Sequence, residues 1–556
     1  MRPSFRTLCL VTMLAAQGLF APIAQAQDQP KPLATASVQS LVTFKEQFKF
    51  LLNLGDAPDL AEQVESFMSF GVIERGIGLD TKRPFGISVW MDKDRPDGRI
   101  WVPIKAGGQA ENMFKSLPMR PQKGATGIYQ LLLPPPFPPL FVKFGEQWAY
   151  GALSPKTLIP MDGINPLPML KERLGKDDIE VSFDLSAVPA PLMEQFQQGF
   201  EMGLKEKVEE FEPKRPGESE ISFRARQLGL QTFITTMKML VSQGQKLRLF
   251  YRLAPATQSL DFGVDLSAKP GTPLATGFEL LHAFHGRFSG VKNEAAPMAF
   301  MVGVPIQGPL RELSLLLIDE AKRKADEEAA KPNGATMAQQ VRTLLGPLQK
   351  TVDEGRFDLR LTVGGKQDKP NIGVFVGVAE SRTFVKVFAD IIKQENSPQT
   401  KTINQQQDGF EVFVSTEFQA APEGKGLEKF QVGLAGNEKT LLFFTGQADA
   451  LTQIKQMIAE FQAQQKPSST PLVEFQMDLR SFTKQVGWDR AEMDPQMQQI
   501  MTDAVNRKDL DPIVSLALHA TPTGLQLRLH GGGVALAFLA KNFAIGFREG
   551  MGNAGQ

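Results

Sequence analysis

His282 and His285 have the spacing closest to a metal-ligand pair in this chain. They stand three residues apart in a stretch with helical periodicity, so both would lie on one helix face and could supply two ligands to a metal. A zinc site needs a third ligand, and no glutamate follows in the H-E-x-x-H pattern of the metalloproteases. We therefore keep metal binding open and favour a structural or solvent-facing role for the pair.

Asp92, Asp94 and Asp97 form a second candidate metal site, within the sequence "MDKDRPDGR". Carboxylate oxygens placed this closely are ligands that Ca²⁺ accepts. The spacing differs from an EF-hand, because an extra residue precedes Asp97 and no glutamate follows at the required place. The segment joins two strand-like runs and contains Asp-Gly, so we expect an ordinary hairpin loop.

Complete catalytic motifs are missing from the sequence. There is no G-x-S-x-G turn, and neither "GLAGNEKT" nor "GGKQDK" has the G-K-[ST] ending of a phosphate-binding loop. His530 precedes three glycines, which indicates a strand end beside a flexible turn. With 61 acidic residues in the chain, a hydrolase with dispersed carboxylates stays open. The sequence predicts no cofactor.

The stretch "LLLPPPFPPLF" at 131–141 is the remaining feature that looks like a motif. Strand-like runs flank it on both sides, and proline ends ladder pairing while holding the backbone extended. We expect a rigid connection between two strands, with Phe137 as its candidate contact residue.

The elements that must position these residues follow a recurring pattern. Two runs with period-two alternation, a short turn and an amphipathic helix recur, which indicates internal duplication. The three copies lie at 246–284, 356–394 and 513–547. Asp184 and Asp478 stand where a preceding strand gives way to a helix, and this position predicts N-cap residues rather than catalytic ones.

The fold class predicted from these patterns is α+β, with repeated modules of antiparallel β-sheet packed against long amphipathic helices. The predicted divisions are a signal peptide at 1–26, a helical lead-in at 27–82, a β-rich module at 83–177, repeat 1 at 178–292, repeat 2 at 293–394, a polar linker at 395–408, a β-β-β-α module at 409–470 and repeat 3 at 471–556.

The N-terminus predicts export to the periplasm or beyond. Arg2 and Arg6 precede an apolar run that is too short to span a bilayer, and Ala24-Gln25-Ala26 reads as a cleavage site. Cleavage would remove Cys9, the only cysteine, so the mature chain would have no disulfide, thiol nucleophile or cysteine-ligated metal. No later apolar run reaches spanning length, so we expect no transmembrane segment after cleavage.

Composition limits the classes of molecule that the chain could bind. Without residues 1–26 the chain has 59 Lys and Arg against 61 Asp and Glu, which argues against nucleic acid because phosphate binding needs concentrated positive charge. The 40 Phe against 3 Tyr and 4 Trp indicate buried packing rather than aromatic binding surfaces.

The phrases "GLDTKRPFGISVW", "WVPIK", "GEQWAYGALS" and "VSFDLSAVP", in this order after a signal peptide and a helical lead-in, carry a resemblance. Together they resemble large uncharacterised secreted proteins of planctomycete-type bacteria, over most of the mature chain. The resemblance implies an exported α+β repeat protein and supplies no catalytic residues.

Three functions follow as hypotheses. The first is an exported, non-enzymatic binding or scaffold protein of unknown ligand, whose partner is an unknown protein or an apolar ligand. The second is a carrier of an apolar ligand or lipid, because antiparallel sheets covered by helices can enclose a cavity lined by Phe and Met. The third is a hydrolase whose carboxylates come from distant parts of the chain. The absence of a catalytic motif favours a protein that is not an enzyme.

Overall fold

A computed structural model describes residues 31–554, with gaps. The gaps are 71–77, 93–94, 106–120, 125, 133–138, 162–163, 196, 200–201, 203–212, 290, 292–295, 333, 367–368, 396–401, 421–427, 464–470 and 486–494. The signal-peptide prediction at 1–26 lies outside the described residues. Within the described part, helices and antiparallel strands alternate along the chain, which confirms a mixed α+β fold.

The strands of the described part belong to one twenty-stranded sheet. They are β1 Ala34–Val38, β2 Phe85–Asp92, β3 Arg95–Pro103, β4 Gln122–Lys123, β5 Tyr129–Leu131, β6 Leu140–Phe144, β7 Trp148–Ala152, β8 Ile179–Asp184, β9 Gly244–Ala254, β10 Ser259–Ala268, β11 Met298–Pro305, β12 Arg356–Lys366, β13 Lys369–Gly377, β14 Thr402–Gln407, β15 Phe410–Ala420, β16 Glu428–Gly436, β17 Thr440–Gly446, β18 Val473–Asp478, β19 Ile513–Thr521 and β20 Gly524–Gly531.

The α-helices of the described part stand singly or in pairs after groups of one to six strands. They are α1 Leu41–Leu54, α2 Pro58–Phe70, α3 Leu167–Leu174, α4 Glu220–Gln243, α5 Pro273–Ala283, α6 Pro309–Ala329, α7 Ala335–Asp353, α8 Ser381–Glu395, α9 Ala450–Gln462, α10 Leu479–Gln485, α11 Pro495–Asn506 and α12 Gly533–Ala554. A 3-10 helix at Pro155–Met161 precedes α3. None of the helices described is long and apolar enough to cross a membrane.

Strand pairing divides the sheet into two halves of ten strands. The order across the sheet is β4-β5-β6-β7-β3-β2-β1-β8-β9-β10-β20-β19-β18-β11-β12-β13-β17-β16-β15-β14, and every neighbouring pair is antiparallel. We call β1–β10 the N-terminal half and β11–β20 the C-terminal half. Each strand of the first half has its counterpart ten labels later in the second. The counterparts β10 and β20 pair with each other, with Gly263 opposite Arg528 at the centre of this seam.

Local chemistry sets where several helices begin. The side chains of Ser40, Ser219, Thr272 and Asp449 accept hydrogen bonds from backbone N–H groups in the first turns of α1, α4, α5 and α9. These are N-caps, which pair donors that the helix itself leaves unsatisfied. Asp478 caps α10 in the same way, with Oδ1 accepting from the Ser481 N–H at 2.8 Å. The predicted capping role of Asp478 is therefore confirmed.

Helices pack on both faces of the sheet. In the C-terminal half, α9 packs through Ile454 and Ile458 against Phe375, Leu442 and the strands around them. The opposite face of the same strands carries α8. In the N-terminal half, Leu158 and Leu170 of the 3-10 helix and α3 pack against Trp101 and Tyr150. The sheet is therefore the common support of every core described below.

Two segments differ from their predicted structure. The lead-in predicted as helical at 27–82 contains strand β1, which pairs with β2 and β8. The polar linker predicted at 395–408 contains β14, whose Thr402–Gln407 residues pair with β15 at the outer edge of the sheet. Polar residues can form an edge strand because one of its sides faces solvent, and their composition concealed this strand.

The predicted copies have defined places in this topology. Copies 1 and 3 correspond to β9–β10–α5 and β19–β20–α12, which are counterparts in the two halves, and copy 2 corresponds to β12–β13–α8. The predicted duplication itself stays a prediction.

Candidate functional site

One face of the central strands is apolar, and we call it the apolar face. On β9 it carries Leu249, which lies opposite Val264 of β10; Val264 in turn lies opposite Leu527 of β20. The alternation of each strand continues this pattern along the sheet. Its members on β8, β9, β10, β20, β19 and β18 are Ile179, Val181, Phe183, Leu247, Leu249, Tyr251, Leu253, Leu260, Phe262, Val264, Leu266, Leu525, Leu527, Leu529, Val514, Leu516, Leu518, Ala520, Val473, Phe475 and Met477.

Large hydrophobic side chains of the apolar face remain more than one third exposed. Five of them stand on five different strands: Ile87 at 37 %, Phe183 at 38 %, Phe262 at 37 %, Leu529 at 36 % and Phe357 at 38 % exposure. Registers of the strands place all five on this one side of the sheet. Five such side chains on one side of the sheet, rather than scattered singly over the surface, make the apolar face a candidate interaction surface.

Helices confine the apolar face at both ends of the strands. Near Leu253 and Leu260 it is covered by α12, α11 and the end of α1. At the other end, α5 packs on Leu266 and Leu525. Leu260 and Leu266 are six residues apart on one strand, which is about 20 Å at the rise of an antiparallel strand. The exposed side chains therefore lie in a groove that is bounded by helices and runs across the strands.

A small cavity opens into this groove beneath α1. Its volume is about 140 Å³, and it is lined by Phe44, Gln47, Phe48, Leu51, Ile179 and Tyr251. Gln47 is buried and donates from Nε2 to the Leu253 carbonyl at 3.2 Å, so the backbone of β9 occupies its amide nitrogen. The cavity extends the apolar character of the groove under the helix.

The opposite side of the central strands, the polar face, carries charged residues. In the N-terminal half, Arg248 lies 2.6 Å from Asp177, 3.3 Å from Glu180 and 3.2 Å from Asp265. Burial raises the pKa of Glu180, and Arg248 opposes this shift. We call these four residues the Arg248 cluster; it neutralises carboxylates that the sheet would otherwise bury at a high cost.

The seam between the halves adds an aromatic ring to this cluster. Phe250 lies between the guanidinium groups of Arg248 and Arg528, whose carbons are 4.6 Å and 4.8 Å from the ring centroid. Gly263 makes room for the ring, because a Cβ there would lie 1.9 Å from a Phe250 carbon. The Arg528 guanidinium also pairs with Asp265 at 2.6 Å, so one carboxylate links both halves.

A pocket of about 370 Å³ lies on the polar face of the C-terminal half, and we call it the Arg360 pocket. Strands β11, β12 and β18 form its floor, and α10 and the chain after α5 contribute to its rim. The polar side chains that line it are Ser289, Arg360, Glu474, Gln476, Asp478 and Ser481. Its volume falls at the small end of the range typical of ligand sites.

Arg360 is 6 % exposed, and its Nε has no hydrogen-bond partner. Burial lowers the pKa of this guanidinium, while Glu474 and Glu460 oppose the shift from a distance. Burial also raises the pKa of Glu460, on α9. Within the described part of the chain no carboxylate forms an ion pair with Arg360, so its charge is buried without direct compensation.

The predicted histidine pair does not share a helix. Helix α5 ends at Ala283, so His282 is in its last turn and His285 lies beyond it. His282 is exposed, with Nδ1 3.0 Å from the Ala520 carbonyl oxygen. The argument from i, i+3 helical spacing therefore does not apply, because the helix ends between the two residues. Metal binding by the pair stays a prediction.

Two of the three aspartates of the predicted calcium site lie in strands, and the third lies outside the described residues. Asp97 is buried in β3 and accepts hydrogen bonds from the Gly98 N–H at 2.7 Å and from the Thr157 hydroxyl. Asp92 is the last residue of β2, where its backbone lies opposite that of Arg95 in β3, while Asp94 lies outside the described residues. Strands β2 and β3 form an antiparallel pair as expected, but Asp97 and Gly98 lie within β3, opposite Trp90 and Val89, and not in the connecting loop. Calcium binding stays a prediction.

Phe137, the candidate contact residue, also lies outside the described residues. The strands on either side of its proline-rich stretch, β5 and β6, pair antiparallel as expected. Among the residues described, no group of three or more His, Cys, Asp or Glu side chains has an arrangement that could hold a metal ion.

The remaining histidines lie on the polar face. His530 Nδ1 is 2.8 Å from Asp261 Oδ1 across the seam. Burial and the neighbouring Arg528 lower the pKa of His519, which favours a neutral ring. These contacts are consistent with structural roles at the seam.

Sequence reasoning missed Arg248 and Arg360. The strand sequence "RFDLRLTV" did contain a signal, because period-two alternation places Arg360 opposite the Leu and Val face. Comparison of the chain with protein-family models, with curated proteins and with solved structures found no match.

Proposed function

We propose that this chain is a binding protein for an apolar chain molecule, such as the acyl chain of a lipid, which lies in the groove of the apolar face. The observation that carries the proposal is the set of five large hydrophobic side chains, from Ile87 to Phe357, that stay 36 % to 38 % exposed on one face of the sheet. Covering such side chains is favourable by about 25 cal/mol per Å² of apolar area.

The geometry favours a flexible chain over a folded partner. The helices at the two ends of the strands contact residues that are about 20 Å apart along β10, and the helices themselves narrow this opening further. A small folded domain is about 30 Å across and would not fit between them. Residues of the apolar face on β8, β9, β10, β20, β19 and β18 include no charged side chain. Protein interfaces carry a hydrogen bond for every 100–200 Å² or so, and this face offers few groups that could form them.

The proposal extends to the points that sequence analysis left as expectations. We take the protein to be exported and non-enzymatic, with its two halves derived from a duplication of a ten-strand unit. The matching strand order of the halves supports the duplication. The pairing of β10 with β20 joins the apolar sides of the two halves into one face, which would bind the ligand.

Binding of cis-parinaric acid, a fluorescent fatty acid, to the delipidated full chain tests the proposal. Leu529→Arg should weaken binding at least about tenfold, because a guanidinium in the groove would lose its water to the apolar acyl chain. The methyl ester of the probe, which has no carboxylate to pair with the new arginine, should show the same loss. Gln526→Arg is the matched control, since it introduces the same side chain on the same strand but on the polar face.

Native mass spectrometry after gentle extraction should in addition detect a co-purifying lipid. The proposal fails if the wild-type chain does not bind the fatty acid saturably, or if both variants bind it equally. Saturable binding of an amphipathic helical peptide without fatty-acid binding would also overturn it and point to a protein partner.

A further inference from the structure

We propose that the Arg360 pocket binds a small zwitterion of amino-acid to dipeptide size, with the ligand's carboxylate on Arg360 and its ammonium group on Glu474. This site lies on the side of the sheet opposite the groove of the apolar face. The two proposals are therefore independent, and either one can be disproved while the other holds.

Arg360 supplies the first half of the argument. It lines the pocket, is more than nine-tenths buried and leaves Nε without a hydrogen-bond partner. Arginine presents a planar fork of N–H donors that matches a carboxylate in a bidentate arrangement. A buried guanidinium without a direct counter-charge is costly for folding alone, whereas a bound carboxylate would neutralise it.

The carboxylates around Arg360 determine which charges a ligand of the pocket must carry. Glu474 and Asp478 also line the pocket, and in the described part of the chain Glu474 forms no ion pair. A ligand with negative charge alone would be repelled by these two side chains, and one with positive charge alone would be repelled by Arg360. A molecule that carries both charges satisfies Arg360 and Glu474 together.

Size and lining limit the ligand further. The volume of about 370 Å³ suits a small molecule. Strand pairing places Met301 between Glu474 and Arg360, so the two charged residues are two strands apart, about 10 Å at their backbones. Their long side chains can approach a ligand above Met301 from both sides. Gln476 and Ser481 add neutral groups for hydrogen bonding.

The corresponding place in the N-terminal half is filled. Strand registers make Gly86 the counterpart of Arg360 and Glu180 the counterpart of Glu474. A Cβ at Gly86 would lie 2.7 Å from a Leu170 methyl group, so α3 occupies the space that the Arg360 pocket leaves open. The pocket is thus a feature of one half and not a general property of the sheet.

Thermal unfolding of the full chain with single compounds tests the inference. The probes are the twenty common L-amino acids and dialanine as zwitterions, with acetate, inorganic phosphate and methylammonium as ligands of one charge sign. We expect at least one zwitterion to raise the melting temperature and the ligands of one charge sign to leave it unchanged. Calorimetric titration then gives the affinity of each probe that binds.

Two variants assign the binding to the pocket. Arg360→Met should lower the affinity for the zwitterion by about tenfold to about 100-fold, the range expected for hydrogen bonds to a charged group. Arg252→Met, which removes an exposed arginine from the same face, should leave the affinity unchanged. Glu474→Gln should weaken the zwitterion and allow acetate to bind.

The inference is overturned if no zwitterion binds, or if acetate or phosphate binds as tightly as any zwitterion. It is also overturned if Glu474→Gln leaves the affinity of the zwitterion unchanged, and this second variant decides the matter should Arg360→Met fail to fold. Leu529→Arg in the apolar groove should not alter zwitterion binding, so a failure of this inference is distinguishable from a failure of the proposed fatty-acid site.

Discussion

The polar faces of the two halves carry a glutamate at the same position in different surroundings. In the N-terminal half, Glu180 is 3 % exposed and lies 3.3 Å from Arg248, which also binds Asp177 and Asp265. In the C-terminal half, its counterpart Glu474 lines an open pocket and forms no ion pair with the residues described there. Ser515 occupies the place of Arg248 in this half, as judged from the strand registers.

The position of one helix accompanies this difference. Helix α3 contacts the inner strands β1 and β8, and its Leu170 fills the space above Gly86. Its nearest counterpart in chain order, α9, contacts the outer strands β15, β16 and β17 instead. The same sheet topology therefore supports a closed cluster of ion pairs in one half and, in the other, a pocket whose guanidinium has no ion pair with the residues described.

Gly86→Arg should have the largest effect. It gives the closed N-terminal half the arginine that the C-terminal half has at the same position, Arg360. The Cβ of the new arginine would lie 2.7 Å from both the Ala36 carbonyl oxygen and a Leu170 methyl group, and its charge would enter a filled space. We expect a loss of at least about 3 kcal/mol in the free energy of unfolding. Urea unfolding measures it.

Gly229→Arg on the exposed side of α4 is the control for this variant, because a side chain there meets open space. It should be neutral or stabilise the chain by up to about 1 kcal/mol, since arginine favours a helix more than glycine does. Equal effects of the two variants would contradict the view that α3 closes the N-terminal site.

Arg248→Met and Arg360→Met should change stability in different directions. Removing Arg248 leaves the carboxylates of Glu180, Asp177 and Asp265 without their shared partner, and we expect a loss of about 2–4 kcal/mol at neutral pH. Removing Arg360 relieves an uncompensated buried charge and should be neutral or stabilise the ligand-free chain by up to about 1 kcal/mol. Urea unfolding of both variants beside the wild type provides the comparison.

The cost of Arg248→Met should shrink on acidification, because protonated carboxylates no longer need a cation. Burial raises the pKa of Asp177 and of Glu180 above the ordinary values of 3.8 and 4.5, so the decrease should begin above pH 4.5. A loss for Arg360→Met as large as that for Arg248→Met would show that Arg360 is a structural residue.

Glu460→Gln should have the smallest effect and a distinct pH dependence. Burial raises the pKa of Glu460 in the folded chain, so the unfolded chain loses this proton first as the pH rises. Stability of the wild type therefore falls as the pH rises from the ordinary value of 4.5 through the raised pKa. Glutamine removes this loss and keeps the shape.

We expect a gain for Glu460→Gln of less than about 1 kcal/mol at pH 7, since this side chain is only partly buried and solvent screens its exposed atoms, and no gain below the ordinary pKa. Unfolding in urea at both pH values measures it. Gln456→Ala is a useful companion, because Gln456 donates to Glu460 at 2.9 Å and this hydrogen bond favours the ionised carboxylate. Its loss should therefore cost more stability at pH 7 than below the ordinary pKa, the opposite sign to the gain for Glu460→Gln. A gain for Glu460→Gln that is the same at both pH values would contradict the assignment to a buried carboxylate.

Much of the fold could be predicted because its signals are local. Period-two alternation located β9, β10, β12, β13, β19 and β20, and cap chemistry identified the role of Asp478. Strands β1 and β14 were missed, because a five-residue run of Ala, Thr, Ser and Val and a glutamine-rich edge strand lack a strong apolar alternation. For the candidate sites the sequence drew attention to rare residue types, the histidines and clustered aspartates, rather than to arginines spaced along ordinary strands.

The sequence by itself determined the alternation of antiparallel strands and helices, the start of several helices and the separation of each central strand into a polar and an apolar side. These depend on residue types a few positions apart. Only the tertiary structure decided which strands are neighbours, and with that the continuous apolar face across β10 and β20 and the placement of Arg360 and Glu474 on either side of Met301. Strand pairing joins segments that are distant in sequence, and backbone hydrogen bonds do not depend on side-chain identity, so the local pattern fixes which side a residue faces but not which residue it meets.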